Sequence, residues 1–159
     1  MGKAEPLAIM ARHPLYRSLR VDKVRLALLE RSLEDYLEPE RLRARNPTID
    51  CLERTVREME PLAAAIARTL PEATGELRWE IVQDRSLAGG GALPEATIDT
   101  LCLALERPGQ DAESLARALR ENDPPVIVRV QEGRALIDLR TVFQQDLPDL
   151  SAALRALWN

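Results

Sequence analysis

The stretch VIVRVQEGRALIDL, Val126–Leu139, decides the fold of the second half of the chain. Two runs, Val126–Gln131 and Arg134–Leu139, flank the dipeptide Glu132-Gly133, a two-residue step that joins antiparallel strands in a hairpin. Just upstream, Pro124-Pro125 stops a helix that Asp111 can cap and that runs through Asn122, with Leu115 and Leu119 facing inward. Further upstream, Leu77, Trp79 and Ile81 alternate with Arg78 and Glu80, the pattern of a half-buried strand, and residues 96–105 (ATIDTLCLAL) form a second strand. Between them, Ser86–Pro94 is a glycine-rich turn holding Gly89-Gly90-Gly91. Downstream of the hairpin, a last helix over about 149–158 carries Leu150, Ala153, Leu154 and Leu157 on one side.

The N-terminal half has the other period. Leu26, Leu29, Leu33 and Tyr36/Leu37 recur at helical spacing, widened by Val24 and Leu28. Pro39 and Pro47 punctuate the next stretch. Ile49, Leu52, Val56, Met59, Ala63, Ile66 and Leu70 then repeat at alternating steps of three and four, with Thr48 as the expected N-cap and Pro61 expected to kink or restart the helix near Glu60. Such a seam could pair helices between subunits, but burial on the chain's own sheet is the commoner outcome. The order is helices, β, β, α, β, β, α. It predicts an α+β fold: N-terminal helices, then an antiparallel sheet of about four strands covered by helices on one face. The expected domains are a helical lead-in over 1–47 and an α+β domain over 48–159.

Composition narrows the chemistry. At 159 residues a chain buries roughly 70% of its unfolded surface, enough for a core without metals or disulfides. Cys51 and Cys102 are far apart and His13 is the single histidine, so neither a zinc site nor a disulfide framework is suggested. Cysteine usage of this kind fits a reducing, cytoplasmic compartment. No apolar run reaches the roughly 18 residues of a membrane span. Net charge is −4, but residues 1–25 hold Lys3, Arg12, Arg17, Arg20, Lys23 and Arg25 against Glu5 and Asp22. A positive segment on an acidic body suggests a local anion site rather than a nucleic-acid groove. Five aromatics are too few for a base-stacking platform.

Arg17 and Arg20 are three apart, so a helical turn puts them on one face, where two guanidinium forks suit phosphate or carboxylate oxygens. A solvated basic face is the competing reading. The glycine triplet lacks the lysine and serine/threonine of a P-loop and reads as an inter-strand turn. Glu30, Glu34 and Asp35 read as solvated ion-pair partners of neighbouring arginines. Only Lys3 and Lys23 are lysines. Lys23 is a poor candidate for a cofactor-anchoring amine, because it reads as part of a continuous amphipathic helix without a glycine turn around it.

Five ordered blocks, His13–Lys23 (HPLYRSLRVDK), Asn46–Leu52 (NPTIDCL), Gly89–Pro94 (GGGALP), Asp123–Arg129 (DPPVIVR) and Leu136–Val142 (LIDLRTV), resemble bacterial selenocysteine synthase, the L-seryl-tRNA(Sec) selenium transferase family. The resemblance implies the C-terminal part, including the small domain, of a pyridoxal-phosphate enzyme of the aspartate-aminotransferase type. That enzyme makes selenocysteinyl-tRNA(Sec) from seryl-tRNA(Sec) and selenophosphate. It places the cofactor lysine in a glycine-rich segment shortly before the HPLYR-like block. The chain alone is therefore expected to bind no pyridoxal phosphate and to be inactive. Its expected partners are the remainder of the enzyme, tRNA(Sec) through regions outside these residues, and further copies in a homo-oligomer. By the same resemblance, Arg17 and Arg20 match an active-site pair that holds the anionic selenium donor or leaving group. Arg129 sits where related enzymes often place a substrate-carboxylate arginine, with a strand-surface arginine as the alternative. Ala92, Glu95 and Val128 depart from the family's serine, glycine and glycine. Two other readings stay open: a related lyase acting on a small amino acid or amino-sugar phosphate, and a non-catalytic interaction domain.

Overall fold

The computed structural model describes residues 2–72, 76–87 and 97–158. The glycine-triplet turn, with Ala92 and Glu95, lies outside the described residues. The chain divides into two compact units, Met1–Pro47 and Thr48–Asn159.

The first unit is helical. It comprises α1 (Ala4–Arg12), a 3-10 turn at Pro14–Tyr16, α2 (Lys23–Glu34), a second 3-10 turn at Asp35–Leu37, and α3 (Pro39–Arg45). Asp22 caps α2, its Oδ1 accepting from the backbone N–H groups of Val24 and Arg25 at 2.9 and 3.0 Å. Lys23 is thus the first residue of a capped helix rather than a position inside a continuous one. None of the described residues of this unit is buried. Leu26, Leu29, Leu33 and Leu37 line an open apolar groove with Glu30 and Glu34.

The second unit contains α4 (Pro47–Glu53, one residue of which belongs to the first unit), α5 (Val56–Thr69), β1 (Arg78–Leu87), β2 (Thr97–Glu106), α6 (Ala112–Arg120), β3 (Arg129–Gln131), β4 (Arg134–Asp138) and α7 (Leu147–Ala156). The four described strands form one antiparallel sheet in the order β1-β2-β4-β3. The hairpin turns at Glu132 and Gly133, both at positive φ (52° and 75°), as a two-residue turn matching the strand twist requires. Helix α6 is capped by Asp111, whose Oδ1 accepts from Ser114 N–H at 2.7 Å. It ends at Arg120, two residues earlier than the proline pair alone predicts.

The predicted seam over 49–70 is not one helix. It breaks at Arg54-Thr55, because Thr55 and Glu58 form a reciprocal capping box: Thr55 N–H donates to Glu58 Oε2 at 2.8 Å, and Glu58 N–H to Thr55 Oγ1 at 3.3 Å. Thr48 lies inside α4 and does not cap it. Pro61 neither stops nor restarts α5. The carbonyl it leaves without a helical partner belongs to Arg57, an exposed residue of the first turn. The seam's second half, Met59, Ala63, Ile66 and Leu70, is buried on the chain's own sheet.

Strand alternation gives the sheet two unlike faces. Leu101, Leu103 and Leu105 of β2, with Ala135 and Ile137 of β4, pack under Met59 and Ile66 of α5, Leu115 and Leu119 of α6, and Leu150 and Leu154 of α7. Val128 is half-buried against this core. The opposite face centres on Cys102, Ala104 and Leu136, with Val82 beside them and, among the described residues, no helical residue in that cluster. Long polar side chains lie over it instead, including Arg134, whose Nη1 reaches Glu80 Oε1 at 2.6 Å from β4 to β1.

Candidate functional site

Arg17 and Arg20 lie on a tight turn between α1 and α2. His13 Nδ1 accepts from Leu15 N–H at 3.2 Å and starts the 3-10 turn, with Pro14 at its first position. Ser18 Oγ donates back to Leu15 O at 2.9 Å, and Arg20 N–H donates to Arg17 O at 3.4 Å. Consecutive turns, not a regular helix, therefore set the three-residue spacing of the two arginines. Both are exposed, and among the described residues neither guanidinium has a hydrogen-bond or ion-pair partner. The carboxylate next in sequence is already engaged: Asp22 caps α2 through Oδ1 and pairs with Arg25 Nε through Oδ2 at 3.5 Å. An exposed guanidinium without a counter-ion keeps its donors for an anion, a charge-assisted contact contributing roughly 1.5–3 kcal/mol.

Arg129 is placed differently. It starts β3 in the second unit, and its guanidinium lies on the sheet face that carries Cys102 and Leu136, opposite the main core. Nη2 is ion-paired with Asp84 of β1 and lies 3.5 Å from Cys102 Sγ; Nη1 donates to Gln131 Oε1 at 3.2 Å. Nε is buried without a partner. Asp138 adds a second polar node on this face, accepting from Thr100 Oγ1 at 2.6 Å and from Ser86 Oγ. Burial pushes the Cys102 thiol above its ordinary range, an effect the Arg129 hydrogen bond only partly offsets. A protonated, buried thiol is a poor nucleophile, so Cys102 is packing here.

Sequence reasoning did not find the arginines that hold the second unit together. Arg140, 4% exposed, donates through Nη1 to the carbonyls of Cys51 at 2.7 Å and Arg54 at 2.6 Å, and through Nη2 to that of Asp99. It thereby satisfies carbonyls at the C-terminal end of α4. Arg54 answers in the other direction, its Nη1 donating to Val142 O at 2.8 Å while its guanidinium sits 5.1 Å from the centre of the Phe143 ring. Arg54 is also ion-paired with Asp50 one helical turn back, but the carbonyl partners of both arginines lie far off in the chain and leave no pattern in the sequence.

The lysines are informative about the cofactor. Lys3 precedes α1 and Lys23 opens α2; both are exposed. An amine that anchors pyridoxal phosphate needs a preorganised pocket with donors for the phosphate. Neither lysine has such surroundings, so the residues present do not fit that group. Among the described residues, no cluster of three or more His, Cys, Asp or Glu could hold a metal ion, and no helix is long and apolar enough to cross a membrane.

A family model described as L-seryl-tRNA selenium transferase matches residues 1–143. The L-seryl-tRNA(Sec) selenium transferase of Geotalea uraniireducens (strain Rf4) is 35% identical over 158 residues, covering 99% of this chain and 34% of that protein. The protein of the same name from Moorella thermoacetica is 34% identical over 155 residues, covering 97% and 33%. That from Aquifex aeolicus (strain VF5) is 31% identical over 157 residues, covering 99% and 34%. The chain spans about a third of the length of these relatives.

Proposed function

Because the chain belongs to the L-seryl-tRNA selenium transferase family, we propose that it supplies the selenium-donor grip of an enzyme converting seryl-tRNA(Sec) to selenocysteinyl-tRNA(Sec). Selenophosphate is the anionic donor, and Arg17 and Arg20 hold its phosphate end. The observation that carries this reading is their exposure as two guanidinium groups without counter-ions, in a turn that His13 and Ser18 fix through backbone hydrogen bonds. With Asp22 used as a helix cap, an incoming oxyanion meets no competitor from the adjoining carboxylate.

Pyridoxal phosphate, which these residues do not fit, is held in this reading by the rest of a longer polypeptide, together with tRNA(Sec). The helical lead-in, 1–47, links to that part, and 48–159 forms the C-terminal domain. The exposed apolar side chains of α1 and α2, among them Ile9, Leu26, Leu28, Leu29 and Leu33, support docking of the lead-in against it. A homo-oligomeric, cytoplasmic enzyme is the assembly proposed.

The test uses the longer protein that carries this segment. Arg17→Ala or Arg20→Ala is expected to raise the KM for selenophosphate by about tenfold or more, with the visible absorbance of the bound cofactor unchanged. Unaltered selenophosphate kinetics in both variants would remove the assignment. The 159-residue chain alone is expected to give no product from seryl-tRNA(Sec) and selenophosphate.

A further inference from the structure

We propose that His13 is the positioning residue for Arg17 and Arg20, and that it acts as the neutral imidazole, so that protonation loosens their hold on an anion. The inference rests on the proposed anion-binding role of the two arginines and deepens it. Leu15 is the node of the turn. Its N–H is held by His13 Nδ1 at 3.2 Å, and its carbonyl accepts from Ser18 N–H at 3.1 Å, Leu19 N–H at 3.2 Å and Ser18 Oγ at 2.9 Å. Arg17 lies between the residues so joined, and Arg20 N–H donates to Arg17 O at 3.4 Å. No described side chain of this unit is buried, so local hydrogen bonds rather than core packing set the course of the turn. An Nδ1 that accepts carries no proton; the neutral ring keeps its proton on Nε2. A second proton removes the acceptor and leaves Leu15 N–H to water. The titratable side chains flanking His13 are Arg12 on α1 and Tyr16, Arg17 and Arg20 on the turn and just beyond it. Protonation also adds a positive charge near the arginines, which by itself attracts an anion. Solvent and salt screen that attraction at an exposed site. A loosened turn, by contrast, must be ordered again each time an anion binds, and this cost is the larger effect.

The experiment adds sodium sulfate, a tetrahedral dianion whose charge is constant over the range used, to the 159-residue chain. The Arg17 and Arg20 Nε–H resonances are followed by nitrogen-proton NMR. At about pH 7.5, His13→Ala is expected to weaken sulfate binding at both arginines about three- to tenfold. His13→Asn, whose side-chain oxygen accepts from the N–H two residues on, is expected to restore it. His13 is exposed, so neither substitution disturbs a core. At about pH 5.5 the wild type is expected to fall to the His13→Ala level, its Leu15 N–H resonance moving along the same titration curve, while His13→Asn keeps its affinity. Equal affinities in the wild type and His13→Ala would overturn the proposal, and so would tighter binding by the wild type at the lower pH. Either result leaves Arg17 and Arg20 as the anion grip. Failure of the grip itself looks different, since sulfate then gives no saturable shift at Arg17 and Arg20 in the wild type at either pH, and both readings fall together.

Discussion

Among the described residues of 1–47 no side chain is buried, and Arg17 and Arg20 have no counter-ion; in the second unit Arg54, Arg129, Arg134 and Arg140 are partly or fully buried and already partnered. Arg140 and Arg54 hold backbone carbonyls across the unit, and Arg129 and Arg134 lie across the sheet to Asp84 and Glu80. The side chain is the same in both regions, and its surroundings set its role. A guanidinium taken out of water must satisfy its donors within the protein, whereas one left in water keeps them for a ligand. Arginine count therefore says little about anion binding until the internal acceptors are assigned.

The largest test of that contrast is Arg140→Met. Leaving the carbonyls of Cys51, Arg54 and Asp99 without their donor is expected to destabilise the second unit by about 4 kcal/mol. Both tryptophans, Trp79 and Trp158, lie in this unit, so their fluorescence during urea unfolding reports it selectively. Leu103→Ala, which empties a fully buried position between α5 and the sheet, is expected to cost about 3 kcal/mol on the same probe. A loss under about 1 kcal/mol in either variant would break the picture of a tightly packed second unit.

Smaller effects sharpen it. Arg134→Gln removes a partly exposed ion pair and is expected to cost less than about 1 kcal/mol. Burial raises the thiols of Cys51 and Cys102, so the fold favours their protonated forms. That contribution is complete below the ordinary thiol range of about 8.5 and is lost as pH rises through the higher folded values. Urea midpoints are expected to fall on the alkaline side, and less so in Cys102→Ala. Leu29→Ala, at an exposed position of α2, is expected to change stability by no more than about 0.5 kcal/mol. A cost matching that of Leu103→Ala would mean that the two regions do not differ as described.

Much of the fold is written in local signals. The Glu132-Gly133 turn, the Asp111 cap and the alternation around Trp79 each act over a few residues, and the strands and helices form where those signals place them. The break at Arg54-Thr55 was legible too, since Thr55 and Glu58 have capping-box spacing, but the regular apolar seam running through it carried the helix reading past that point. The arginine contacts were not legible. Asp84 and Arg129 are 45 residues apart and meet only once β1, β2, β4 and β3 are in register. For Arg17 and Arg20 the spacing was visible in the sequence, whereas the absence of a competing carboxylate depended on Asp22 being used as a helix cap.

The most direct measurement is a titration of the 159-residue chain with inorganic thiophosphate, a stable tetrahedral stand-in for the selenium donor, followed at all arginine Nε–H resonances. The account predicts saturable shifts of Arg17 and Arg20 with a common affinity, both lost in Arg17→Ala/Arg20→Ala, while Arg54, Arg129 and Arg140 stay still. Shifts spread evenly over the exposed arginines, or none at Arg17 and Arg20, would contradict it.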